Sequence, residues 1–200
     1  MSVKMYRMFL IYLMLCLCLH FASAQSPVTF TDVGASTGTH VFLNPHGSGF
    51  FDYNNDGLSD IFVVHNLSTG YIGEKPHALL KNLGNGTFEN VTVEARVGGY
   101  NASAQGLAAG DYDNDGDMDM AIGMGNWGTL LYRNNNDGTF SNVSDAAGVS
   151  QYNRGRCLAF FDYNNDGHVD LLQIGDPSLY LLQNKGDGTF VHKRYPAGLY

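Results

Sequence analysis

Short apolar runs alternate along the chain with clusters of Asp, Asn and Gly. "GLAAGDY" (106–112), "MDMAIGM" (118–124), "GTLLYRN" (128–134) and "RCLAFFDY" (156–163) are typical. Each is too short for a packed helix, and the 25 glycines interrupt nearly every window in which one would form. The dipeptides Asn85-Gly86, Asp137-Gly138 and Asp187-Gly188 are hairpin-turn signals between such runs. The pattern predicts a chain of short antiparallel strands.

The strands recur in units. A "TF" pair marks each unit at Thr29-Phe30, Thr87-Phe88, Thr139-Phe140 and Thr189-Phe190. An acidic run marks it again at Asp52, Asp111 and Asp162. From each Phe to the next acidic run the distance is 22, 23 and 22 residues; from each run to the next Phe it is 36, 29 and 28. The first unit therefore carries an insertion, placed within "HNLSTGYIGEKPH" (65–77). A period of about 51 residues with four strands per unit is that of β-propeller blades. The expected fold is all-β: about three four-stranded blades of an incomplete propeller, preceded by a lone "TF" strand. A solenoid of sheets is the runner-up.

The acidic runs carry the chemistry. "DYNNDGLSD", "DYDNDGDMD" and "DYNNDGHVD" place side-chain oxygens at positions 1, 3 and 5: Asp52, Asn54, Asp56; Asp111, Asp113, Asp115; Asp162, Asn164, Asp166. Position 6 is Gly57, Gly116 or Gly167, and position 9 is Asp60, Asp119 or Asp170. Uncompensated, such a run repels itself. Ca²⁺ takes six to eight hard oxygens in irregular geometry, which suits alternate side chains converging on one point. The glycine permits a sharp turn that brings the carbonyl at position 7 (Leu58, Asp117 or His168) to the same point, and position 9 closes the cage. An EF-hand needs glutamate at position 12, where Val63, Ile122 and Gln173 stand, and helices on both flanks. An Asx-rich turn without metal explains one such loop more easily than three in register. Mg²⁺ prefers strict octahedral geometry and retained waters. The middle loop has four carboxylates against three in each neighbour, so it is expected to bind most tightly.

The units "FDYNNDGLSD" (51–60) and "NKGDGTF" (184–190) resemble FG-GAP/VCBS repeats, the calcium-binding blades of integrin α-subunit propellers. "TFTDVGASTG" and "FSNVSDAAGVSQYNRGRCLAFFDYNNDG" are similar more particularly to the cartilage acidic protein (ASPIC/UnbV) group. The resemblance covers residues 28–200. It implies a secreted or cell-surface propeller of about seven blades with calcium in the blade hairpins. Three acidic loops fall short of that ring, so the 200 residues are expected to be a fragment, with self-association through open blade edges as a consequence.

Residues 1–24 read as a secretory signal peptide. Lys4 and Arg7 precede an apolar core from Met8 to Phe21, and Ala22-Ser23-Ala24 forms a small-x-small cleavage site before Gln25. The core is short of a membrane span, so residues 25–200 are expected to be secreted, extracellular and without a membrane anchor. The formal charge of the whole chain is −8, which argues against nucleic-acid partners. Cys157 is the one cysteine beyond the leader, expected as a small buried hydrophobe, and no disulfide framework is available. Asn66, Asn85, Asn90, Asn101 and Asn142 head glycosylation sequons; Asn85 sits in a tight turn and is the weakest acceptor. Trp127 is expected to pack between blades, with stacking on a sugar or peptide as the alternative. No nucleophile motif or zinc-ligand spacing is present, so the chain is not expected to be an enzyme. The reading is a binding module for an extracellular protein, matrix or glycan partner with structural calcium. A fragment of a propeller-fold lyase or hydrolase is the alternative.

Overall fold

The structure is a computed structural model that describes residues 28–40, 45–65, 77–98, 104–125, 127–151, 155–175 and 179–193. The expected signal peptide, most of the expected first-unit insertion and the sequons at Asn66 and Asn101 lie outside these residues. The chain divides into two compact units at Asp32, and the first contributes only residues 28–32 to the description. Thr29 and Phe30 lie outside any strand, contrary to the expected lone "TF" strand. No partner strand pairs with them among the described residues.

The described residues of the second unit form one short helix and three four-stranded antiparallel sheets. Helix α1 is Gly34–Thr37. The first sheet is β1 (Pro45–Phe51), β2 (Asp60–His65), β3 (His77–Asn82) and β4 (Phe88–Asn90). The second is β5 (Gly106–Gly110), β6 (Asp119–Gly123), β7 (Thr129–Asn134) and β8 (Phe140–Asn142). The third is β9 (Cys157–Phe161), β10 (Asp170–Ile174), β11 (Leu179–Asn184) and β12 (Phe190–Lys193). Each sheet follows chain order, so each unit of the repeat is one blade. Among the described residues strands do not pair from one sheet to the next, apart from a single bridge between Gly125 and Gly155, so the sheets are separate blades rather than turns of a solenoid.

The blades bury one another. Successive strand residues point to opposite faces. Met120 and Ile122 pack with Phe51, Phe62, Val64 and Leu79 of the first blade, while Ala121 between them packs with Leu158, Leu171 and Leu182 of the third. Covered on both faces, β6 is buried at every position. β9 has a neighbour on one face only: Leu158 is buried, and Cys157, Ala159 and Phe161 are exposed. Cys157 is thus exposed, not the buried hydrophobe expected, because its face of the third blade meets no sheet among the described residues. Full burial of Phe62, Leu79, Ile122 and Leu171 contributes roughly 1.5–3 kcal/mol each. The backbones of the second and third blades also approach closely: a Cβ on Gly106 or Gly123 would run into the carbonyl oxygen of Arg156 or Gly155.

Two further devices join the blades. One helical turn follows each Phe-x-x-Val. The amides of Thr37, Ala95 and Ala147 donate to the carbonyls of Val33, Val91 and Val143 at 3.0, 2.8 and 2.8 Å. Ala95 and Ala147 then accept the amide of Phe140 and Phe190 in the next blade, both at 2.9 Å. α1 is the same turn ahead of the first blade, closed by Gly38 at φ 80 against the Phe88 backbone. The second device is an asparagine at the end of the third strand. Asn134 Nδ2 donates to the Tyr53 carbonyl at 2.7 Å and the Met118 carbonyl at 3.1 Å; Asn184 Nδ2 donates to Tyr112 at 2.6 Å and Val169 at 3.0 Å. Among the described residues Asn82 Nδ2 donates only within its own blade, to the Ser59 carbonyl at 3.0 Å.

Truncating Asn134 or Asn184 to alanine strands buried carbonyls in two blades and leaves a hole. Each change is expected to cost about 2–4 kcal/mol, and Asn82→Ala about 1 kcal/mol. Urea denaturation at fixed calcium checks the ranking; equal losses at the three positions would contradict it.

Candidate metal centre

The three acidic loops join the first and second strands of each blade. Each loop is folded by its own backbone. Asp52 accepts the amides of Asp56 (3.1 Å) and Gly57 (2.7 Å) on its two oxygens. Asp111 accepts those of Asp115 (3.1 Å) and Gly116 (3.0 Å), and Asp162 those of Asp166 (3.2 Å) and Gly167 (2.9 Å). The position-5 carboxylates accept the position-7 amides: Leu58 to Asp56 at 3.0 Å, Asp117 to Asp115 at 2.9 Å, His168 to Asp166 at 3.0 Å. Gly57, Gly116 and Gly167 have φ of 82, 92 and 85, which strains any residue with a Cβ.

The loops differ at position 3. Asn54 and Asn164 use their amide groups to donate to Asp56 and Asp166, at 3.0 and 2.7 Å. Asp113 has no N–H to give. Its Oδ1 is buried without a hydrogen-bond partner. Burial first, and Asp115 next, push its pKa up. Asp111, Asp113 and Asp115 each offer an oxygen within 4.8 Å of the others, and they form the one such acidic group among the described residues. A cation would satisfy a buried oxygen left without a donor among these three carboxylates, so the residues fit the calcium read from the spacing.

Position 9 does more than was expected of it. Asp60, Asp119 and Asp170 have no exposure. One oxygen of each accepts the position-2 amide: Tyr53 at 3.1 Å, Tyr112 at 3.0 Å, Tyr163 at 3.1 Å. The other accepts the amide at the end of the third strand: Asn82 at 2.7 Å, Asn134 and Asn184 at 2.8 Å. The carboxylate thus bolts the loop to the blade, and Asp119 stands outside the cluster of three. A carboxylate oxygen has two lone pairs, so these bonds leave capacity for a metal. Burial raises the Asp119 pKa to about 7 against the lowering effect of its two backbone bonds, and burial raises that of Asp60 as well.

Reading only odd positions missed position 4. Asn55, Asn114 and Asn165 stand there in all three loops, with φ of 56, 59 and 58. Asn55 Nδ2 donates to Asp117 Oδ1 of the next loop at 2.6 Å. Asn114 Nδ2 reaches the Gly167 carbonyl and His168 Nδ1 of the third, each at 3.0 Å. The repetition of asparagine at position 4 was the available signal. Position 7 therefore carries interblade contacts in two loops, while Leu58 lies 3.2 Å from where a Cβ on Gly84 would sit.

The sequons have a structural job. Asn90 and Asn142 are exposed, and their Oδ1 atoms accept the amide and hydroxyl of Thr92 and Ser144. Those hydroxyls then accept the amides of Leu79 and Leu131, both at 2.9 Å, closing the outer strand. Asn85 is exposed at a hairpin tip, with its Oδ1 held by Thr87. Trp127 is 74% exposed, on the wall of a hollow shared with Asn142, Ser144 and Asp145, rather than packed between blades. No helix among the described residues is long and apolar enough to cross a membrane.

Comparison with known proteins bears on the repeat. The chain is 32% identical to cartilage acidic protein 1 of Xenopus tropicalis over 120 residues, 56% of this chain and 18% of that protein. With cartilage acidic protein 1 of Mus musculus it is 27% identical over 150 residues, covering 70% and 23%. The chain thus spans about a fifth of the length of the curated relatives it matches. A solved Agrocybe aegerita lectin, described for recognition of non-reducing terminal N-acetylglucosamine, overlays at a TM-score of 0.48 and 20% identity, over 81% of this chain and 41% of its own, too loosely to weigh on the fold. The model of the FG-GAP-like repeat matches residues 52–122 and 120–173, over the three loops and most of the blades, and the chain belongs to that family.

Proposed function

We propose that the chain is a secreted, non-catalytic repeat module whose acidic loops hold structural Ca²⁺ and whose blades present a surface to an extracellular protein, matrix or glycan partner. The buried, unpartnered Asp113 Oδ1 beside Asp111 and Asp115 carries the calcium part of this reading. Asp111, Asp113, Asp115 and Asp119, with the Asp117 carbonyl, would hold the middle ion. Asp52, Asn54, Asp56, Leu58 and Asp60, and Asp162, Asn164, Asp166, His168 and Asp170, would hold the flanking pair. The bound ion supplies positive charge where loop carboxylates converge. The chain's own part is to fold each loop on its backbone amides, which gathers the ligand side chains on one side of the turn. The signal-like start supports export, and the relation to cartilage acidic protein 1 supports an extracellular setting.

At millimolar calcium and a Kd of about 0.1 mM, each site stabilises the fold by roughly 1.4 kcal/mol. Three sites at that strength supply a large share of the stability of an ordinary domain. EGTA is expected to lower the melting temperature markedly and calcium to restore it. A melt unchanged by EGTA, in protein shown to be metal-free, contradicts structural calcium. Asp113→Asn should weaken the tightest step of a calorimetric titration and raise stability in EGTA, since it relieves a buried unpaired oxygen.

In EGTA the pH dependence has a definite sign. The folded pKa of Asp119 is about 7, above its ordinary 3.8, so the folded chain holds a proton that the unfolded chain has released. Its contribution is fully present below the ordinary value and is lost as pH rises toward about 7. Asp60 and Asp113 shift in the same direction. Urea midpoints in chelator should therefore fall as pH rises over this window. With saturating calcium, which binds the ionised loops, the fall should disappear.

A further inference from the structure

Asparagine at position 4 has no role in a cage built from positions 1, 3, 5, 7 and 9, yet it recurs in every loop. Its left-handed backbone is one that asparagine tolerates better than most residues, and in the first two loops its amide reaches the next blade. We propose that Asn55 and Asn114 are positioning residues for the metal loop of the following blade, so that the three loops bind calcium as a coupled series. This rests on the calcium reading above.

The link is short and continuous. Asp52 accepts the amides of Asp56 and Gly57, so an ion ordering the first loop also orders Asn55 between them. Asn55 Nδ2 holds Asp117 Oδ1 at 2.6 Å. Asp117 is buried, and Asn55 is the side-chain partner that meets its carboxylate. The Asp117 amide in turn donates to Asp115 Oδ1 at 2.9 Å, and Asp115 belongs to the acidic cluster. The second junction repeats the scheme. Asn114 Nδ2 holds the Gly167 carbonyl and the His168 ring, and the amide of His168 donates to Asp166 Oδ1 at 3.0 Å. In both cases the position-4 amide of one blade fixes the residues that present the position-5 ligand of the next. Linkage makes the effect reciprocal: filling the second loop must tighten the first by the same factor. Asn165 has the same backbone conformation and makes no such bond among the described residues, which gives an internal control.

The test is calcium titration calorimetry on the full chain, with the step lost in Asp111→Asn assigned to the second loop. Glycine adopts the left-handed backbone without strain, so Asn→Gly removes the amide alone. In Asn55→Gly the second-loop affinity should fall about fivefold to tenfold. Disabling the first loop with Asp52→Asn should weaken the second loop in the wild-type chain and have no effect in Asn55→Gly. Asn165→Gly should leave all steps within about twofold. Asn114→Gly repeats the measurement at the third loop and serves if Asn55→Gly does not fold. Equal behaviour of Asn55→Gly and Asn165→Gly, or second-loop affinity indifferent to Asp52→Asn in the wild type, overturns the coupling alone. Wild-type protein that takes up no calcium overturns the calcium reading, and the coupling with it.

Discussion

A carboxylate with no solvent exposure, accepting one backbone amide from the start of an acidic loop and one from the end of the third strand, is the constraint on which each blade depends. Asp60, Asp119 and Asp170 occupy this place. The bond pair fixes where the loop begins relative to the sheet. It also aligns the third strand so that its terminal asparagine faces the preceding blade. Burial of the carboxylate is costly, and the raised pKa of Asp119 registers that cost. The cost is what makes the arrangement specific: any other register leaves a buried charge without its donors.

From that anchor the contacts run outward from blade to blade. The terminal asparagine of the third strand reaches the carbonyl at position 2 of the preceding loop. The position-4 asparagine of that loop reaches forward to the next one. On the outer side, the helical turn after the fourth strand of the first and second blades receives the amide of the next blade's last strand. Between these polar ties lie the two apolar clusters, one in each gap between blades. No blade is complete alone. A four-stranded sheet of this width cannot bury both faces of its central strand without neighbours, and β6 shows the result of having two.

The Asn-Val-Thr/Ser segments illustrate one motif with two readings. As sequons they mark acceptors in an exported chain. In the fold their hydroxyls close the outer strand, and they are buried for that reason: Thr92 is 3% and Ser144 4% exposed. The third blade has His192 where the others have Asn90 and Asn142, so it carries no sequon there. The sequon pattern therefore follows from blade construction whether or not a sugar is attached.

The sequence by itself determined the blades and the loops. Short apolar runs, Asx-Gly turns and a recurring Asp-x-Asx-x-Asp-Gly are local signals, since each concerns residues within a few positions of one another. Strand order, the position of every loop and the four-strand unit were legible for that reason. Only the tertiary structure decided which face of each strand is covered, and so left Cys157 and Trp127 exposed, because burial depends on the neighbouring blade and not on the residue's own run. The helical turn at Gly34–Thr37 was hidden because a single turn has no apolar period to read. Within the site, the odd positions could be read from chemistry, but the paired hydrogen bonds of position 9 and the reach of position 4 could not. The bond from Asn82 to Asp60 spans 22 positions and forms only when the blade's own strands pair, and the bond from Asn55 to Asp117 spans 62 and exists only once the blades have stacked.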